Sequence, residues 1–183
     1  VEVNLNLEMA ATPEMVSIAV STHPYMAMLV PEGRQEITTE GGLDVAGNLD
    51  GIRRTVDALR EGGVPASAFI DPEERQVEAA ALCGFEVCEI HTGPWAHAFH
   101  ASSGNPADAG AMDELARIAR CGREIIDRGM RFNAGHALNY LNTSPIAALD
   151  GLHELHIGHS IVSRSIFTGM RAAVSEMNKI IQD

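Results

Sequence analysis

The sequence predicts an α/β protein made of repeated βα units around a parallel sheet. Three observations carry that expectation. Short apolar runs alternate with longer segments of helical period. Prolines and acidic residues mark helix starts, and glycines mark helix ends shortly before the next apolar run. The two longest connections both follow the C-terminal ends of expected strands, where parallel α/β folds build their active sites. With 183 residues, 45% hydrophobic and 21% charged, the chain is expected to form one domain, residues 1–183, with a sizeable core.

The elements follow in order. A first strand is expected from Val3 to Met9, where Asn4, Asn6 and Glu8 alternate with Leu5 and Leu7, so the polar set shares one face. Thr12 then stands as a helix cap before Pro13 at the first helical position. The second strand, Tyr25 to Val30, leads into a long connection from Pro31 to Asp44. Gly62-Gly63 stops the next helix ahead of a third strand, Ala66 to Ile70. Asp71-Pro72-Glu73-Glu74 reads as a helix start with Asp71 as the cap, and Gly84 as that helix's stop.

The fourth strand, Phe85 to Ile90, precedes the second long connection, Thr92 to about Ala107, whose Gly, Ser, Pro and Ala content reads as a mobile lid. Gly129 comes just before a fifth strand, Arg131 to Ala134, and a sixth, Glu154 to Gly158, opens a helix reaching almost to Asp183.

Composition excludes several function classes. A formal charge of −12 opposes nucleic-acid binding, which needs a basic stripe to displace counterions from phosphates. No apolar run approaches the ~20 residues that span a bilayer, and the segment VEVNLNLEMA has no basic signal-type start. A protein without membrane contact, in the cytoplasm, is expected. Cys83, Cys88 and Cys121 form no C-x-x-C pair and read as buried free thiols.

Candidate chemistry sits at strand ends. Glu8, on a strand face expected to point into the core, has the environment of a general base with a raised pKa; the competing reading is an edge strand with one solvated face. His136 follows Asn133-Ala134-Gly135, where the glycine is expected to turn the chain and set the imidazole at the rim. A hydrogen-bonded structural histidine is the alternative. Gly158-His159-Ser160, at a helix start, resembles a phosphate cradle of free N–H groups, against which stands a helix end simply capped by Ser160. His91, His97 and His100 have short spacing, but nothing in it makes them converge, so no metal is expected.

Several segments in order carry a more specific signal: Asn6-Leu7-Glu8-Met9-Ala10, Leu29-Val30-Pro31-Glu32, the run RQEITTEGGLDV from Arg34 to Val45, Glu89-Ile90-His91-Thr92-Gly93, Asn133-Ala134-Gly135-His136 and Glu154-Leu155-His156-Ile157-Gly158-His159. Together they resemble the pyridoxine 5'-phosphate synthase family, from its third barrel strand onward. The resemblance implies a (β/α)8 TIM-type barrel, of which six βα units lie in this chain and two earlier ones are expected outside it. It implies condensation of 3-amino-2-oxopropyl phosphate with 1-deoxy-D-xylulose 5-phosphate to pyridoxine 5'-phosphate, phosphate and water, without a cofactor. It further implies phosphorylated small-molecule partners and a homo-oligomer.

Carried over by position, the resemblance implies Glu8 as proton acceptor, His136 as proton donor, Thr38 as a substrate contact, and Gly158 with His159 as phosphate binders. Ala137 stands where the family usually has a glycine that supplies a backbone contact, and the contact is expected to survive if φ at Ala137 is negative. The Pro94 to Pro106 loop is longer than usual for the family. The alternatives are another phosphate-binding barrel enzyme, or a non-catalytic fragment that binds ligand or assembles. A Schiff-base aldolase lacks support, because the single lysine, Lys179, lies far from any strand end.

Overall fold

A computed structural model of the chain describes residues 3–31 and 41–182. Its elements, in order, are β1 (Asn6–Met9), α1 (Pro13–Thr22), β2 (Met26–Leu29), α2 (Leu49–Glu61), β3 (Ala66–Ile70), α3 (Glu74–Cys83), β4 (Val87–His91), α4 (Gly93–Ala101), α5 (Ala109–Asp127), β5 (Arg131–Gly135), α6 (Ser144–Ala147), β6 (Leu152–His156), α7 (His159–Thr168) and α8 (Met170–Gln182). A 3₁₀ turn, Ala46–Asn48, leads into α2. Thr38 and the first part of the Arg34 to Val45 run lie outside the described residues.

Among the described residues six strands form one curled parallel sheet in sequence order, β1 to β6, as βα crossovers place successive strands side by side. Each expected strand is present, with ends shifted by a few residues. The sheet has two distinct faces. Leu29, Ala68, Ile70, Cys88, Ile90, Phe132 and Ala134 point to the helices and join the main apolar cluster. Met28, Phe69 and Val87, on the opposite face, are buried without joining it. On α5, Ile118, Cys121 and Ile125 recur on one helical face and are buried. Each such isoleucine contributes about 1.5–3 kcal/mol.

Helix punctuation holds at several places. The Thr12 side chain accepts from Met15 N at 3.3 Å, and Gly63, Gly84 and Gly129 take φ of 73°, 81° and 80°, where a β-carbon is strained. Three expectations and one alternative are corrected. Asp71 does not cap α3: the helix starts at Glu74 after Glu73 as N-cap, because the Asp71 carboxylate is taken by His91 Nδ1 at 2.9 Å and Gly42 N at 3.0 Å. The stretch after β4 is not a loop throughout. Gly93–Ala101 is helical, since Pro94 suits a first turn and Trp95 and Phe99, four residues apart, bury one face.

The C-terminal helix is two helices, α7 and α8, broken at Gly169, whose φ of 83° no right-handed helix accommodates. Ser160 is not a helix cap either; Gly158 is the N-cap of α7, and Ser160 Oγ donates to Leu138 O at 2.9 Å. The three cysteines are free and buried. Among the described residues no helix is long and apolar enough to cross a membrane.

Candidate active site

A cavity of about 550 Å³ opens at the C-terminal ends of the strands, a volume within the range of small-ligand sites. Its wall takes Glu8 from β1, Met28 from β2, Phe69 from β3, Glu89 from β4 and His156 from β6. His136 and Ala137, just past β5, and Gly158, His159 and Ser160, at the start of α7, complete the rim. Of the residues expected from sequence, Glu8, His136, Ala137, Gly158 and His159 thus meet around one space. Thr38 lies outside the described residues.

Glu8 is exposed, not sealed in the core. The reason is its place on β1, which has only β2 beside it among the described residues, so the carboxylate stands in the open mouth of the cavity.

The backbone at His136 departs from expectation in an informative way. Gly135 does not make the turn. The positive φ values belong to His136, 83°, and Ala137, 58°, so the negative φ on which survival of the Ala137 contact was made to depend is not met. Each non-glycine residue in the left-handed region costs about 1–2 kcal/mol, and a glycine at 137 would take that conformation freely. What Gly135 supplies is room: a β-carbon there would collide with the Glu89 carboxylate and lie 2.9 Å from His156 O.

The His136 ring meets His91 edge-on, with centroids 4.9 Å apart at 64°, and Phe69 at 6.1 Å. Burial, and then the neighbouring His91, lower its pKa, so near pH 7 the imidazole is neutral and keeps one N–H to donate. His91 is buried with Nδ1 fixed by Asp71, while its Nε2 has no partner among the described residues. The His91 hydrogen bond, despite burial, holds Asp71 below the usual carboxylate range.

Beside them, with Glu89 two residues before His91 on β4, stands a pair that the sequence reasoning missed. Glu89, 3% exposed, hydrogen-bonds His156 Nδ1. His156 Nε2 lies 3.4 Å from Glu154 Oε2, which also accepts from Asn133 Nδ2 at 3.2 Å. Burial raises the Glu89 pKa, opposed by the His156 contact. At His156, burial works to lower the pKa, but the hydrogen bonds and charges of Glu89 and Glu154 outweigh it and raise it to about 9. The pair therefore keeps one proton at neutral pH and is neutral as a unit. A signal was available: in Val87-Cys88-Glu89-Ile90-His91 the polar residues alternate with apolar ones, as they do around Glu8.

At the far rim, no side chain caps α7, so its first N–H groups face the cavity unspent, with the positive end of the helix dipole behind them. A β-carbon at Gly158 would meet nothing within 4 Å. His91 is buried while His97 and His100 lie exposed on α4, so these three do not converge.

The whole chain, residues 1–183, matches the family described as pyridoxal phosphate biosynthesis protein PdxJ. A protein of Aromatoleum aromaticum named pyridoxine 5'-phosphate synthase is 58% identical over 182 residues, covering 100% of this chain and 72% of that relative. One of the same name from Dechloromonas aromatica is 54% identical over 183 residues, covering 100% of this chain and 72% of its own length. Among solved structures, a putative fructose-1,6-biphosphate aldolase from Coccidioides immitis superposes with a TM-score of 0.61 at 14% identity, over 98% of this chain and 71% of that one. At that identity the likeness concerns the fold alone.

Proposed function

The chain belongs to the PdxJ family of pyridoxine 5'-phosphate synthases, and from that membership we propose how its cavity carries the reaction, the condensation of 3-amino-2-oxopropyl phosphate with 1-deoxy-D-xylulose 5-phosphate. The observation that carries the reading is the convergence of Glu8, His136 and the uncapped start of α7 on one cavity. The (β/α)8 barrel of the family is the frame we read around this sheet.

The chemistry asks for those groups. Joining an amine to a ketone and closing an aromatic ring expels water and phosphate, so protons must leave carbon and arrive on departing oxygens. Glu8, in the open mouth of the cavity, is the acceptor for the carbon-bound proton. His136, kept neutral near pH 7 by burial and by His91, hydrogen-bonds a leaving oxygen through its one N–H and passes that proton on as its other ring nitrogen takes one up. No electrons change hands with an outside acceptor, so the reading includes no cofactor.

Both substrates bring phosphate into a protein of charge −12. Backbone N–H groups at Gly158 to Ser160 provide the local positive potential a dianion requires. The proton shared by Glu89 and His156 matters for the same reason, since a bare buried carboxylate there would repel the ligands. Ala137 keeps the left-handed φ of 58° that a glycine would take there and its N–H has no backbone partner among the described residues, so the substrate contact is proposed at that N–H even though φ is not negative. Thr38 is proposed as a further substrate contact on family resemblance alone. A cytoplasmic homo-oligomer rests on the same ground.

The test is Glu8→Gln, which keeps the volume and removes the base. Turnover should fall by ~10²–10⁴-fold with the melting temperature unchanged. Turnover within about twofold of wild type would return Glu8 to a structural role.

A further inference from the structure

We propose that Thr92 is a positioning residue that aims the His136 imidazole into the cavity by holding the left-handed turn at His136 and Ala137. The inference rests on the reading of His136 as a participant in catalysis.

Thr92 sits immediately after β4 and is completely buried. It reaches across to the end of β5 with two groups. Its N–H donates to Gly135 O at 2.8 Å. Its hydroxyl lies 2.7 Å from Gly135 O and 2.6 Å from His136 O, so one proton is shared between two carbonyls. The next carbonyl, Ala137 O, accepts from Asn142 Nδ2 at 3.2 Å. Asn142 is itself fixed: its Oδ1 accepts from Asn139 N at 2.7 Å, and its carbonyl from Trp95 Nε1 at 3.0 Å.

Three successive carbonyls are therefore held by two side chains. That is where the chain takes two consecutive positive φ values without a glycine, 83° and 58°, and such backbone persists only where its surroundings over-determine it. Of the three, the His136 carbonyl has no donor other than the Thr92 hydroxyl among the described residues. Removing that hydroxyl leaves a half-buried acceptor unsatisfied and frees the peptide that sets the direction of the ring.

The ring's direction has an independent signature. In this turn His136 is packed against Phe69 and edge-on to His91, with Asp71 behind His91. The other titratable groups on the same cavity are Glu8, Glu89, His156 and His159. A ring released from this packing regains solvent and loses the His91 contact, so its proton affinity rises toward that of an ordinary histidine.

The experiment compares Thr92→Val, Thr92→Ser and His136→Gln in the full-length enzyme, by kcat, KM, melting and an NMR titration of the histidine ring protons. Thr92→Val should lower kcat by ~10²-fold, the scale of a small misplacement of a reacting group, with little change in KM, and should move the His136 midpoint upward. Thr92→Ser, which retains the hydroxyl, should keep kcat within about threefold and the midpoint in place. If Thr92→Val does not fold, Thr92→Cys, with a weaker donor of similar size, takes its place with the same expected direction.

Wild-type kcat together with an unchanged His136 midpoint in the folded valine or cysteine variant overturns the proposal. So does a serine variant as impaired as the valine one. The His136→Gln arm separates the two claims: if glutamine there leaves kcat intact, the catalytic reading of His136 fails, while the NMR midpoints still report whether Thr92 holds the turn.

Discussion

Glu89 and His156 are 67 residues apart in sequence and meet only because β4 and β6 flank β5 in the sheet. Their shared proton has a consequence for stability. His156 is raised to about 9 by its carboxylate neighbours against about 6.5 in an unfolded chain, so its contribution is complete below about pH 6.5 and is lost as pH rises toward 9. Glu89 is raised as well, by burial, which gives the same sign. The melting temperature should therefore fall by a few degrees between pH 6.5 and 9, and Glu89→Gln should flatten that fall. A pH-independent wild-type melt over this window would deny the pair its shared proton. The placement of Glu8 and His136 on the cavity was legible in the sequence because a carboxylate among strand leucines and a histidine at a strand end are local signals. The Glu89 and His156 partnership depends on a contact across the sheet, and the φ of Ala137 on a turn set by Thr92 and Asn142, so neither could be read from neighbours in the chain.

At the scale of elements, the start of α7 carries the most direct expectation. The Gly158 position has negative φ and open space around a β-carbon, so Gly158→Val should fold normally. It should nonetheless weaken binding of pyridoxine 5'-phosphate and of inorganic phosphate by roughly tenfold or more in calorimetric titration, by obstructing the backbone N–H groups. His159→Asn, which keeps a polar donor, should do less harm. Equal affinity of the folded valine variant and wild type for both ligands would place phosphate elsewhere. Helix starts and stops with a local mechanism, Thr12-Pro13 and the glycines at 63, 84 and 129, were legible. The helix α4 was not, because the Gly, Ser, Pro and Ala content of the Thr92 to Ala107 stretch hid the Trp95 and Phe99 stripe that buries it. Asp71 misled in the opposite sense: a good cap by composition, it is spent on His91 and Gly42 instead.

For the whole molecule, the alternation of apolar runs with helical segments was enough to order all six strands, since each βα crossover places its strand beside the previous one. The sidedness of the sheet was harder. Both faces of a parallel sheet are commonly apolar, and here one face packs on helices while the other alternates Met28 and Phe69 with Glu8, Glu89 and His156 around a cavity. The alternating polar residues of β1, and those of β4 at Glu89 and His91, were the signals of that difference in the sequence. The account as a whole holds that this cavity joins two phosphorylated substrates by proton transfers among protein side chains. The measurement that tests it most directly is incubation of the purified full-length protein with 3-amino-2-oxopropyl phosphate and 1-deoxy-D-xylulose 5-phosphate in the presence of a chelator, following pyridoxine 5'-phosphate and inorganic phosphate together. The account predicts that both appear in equal amounts and that chelation changes nothing; absence of product, or product only after a metal ion or a nicotinamide is added, would contradict it.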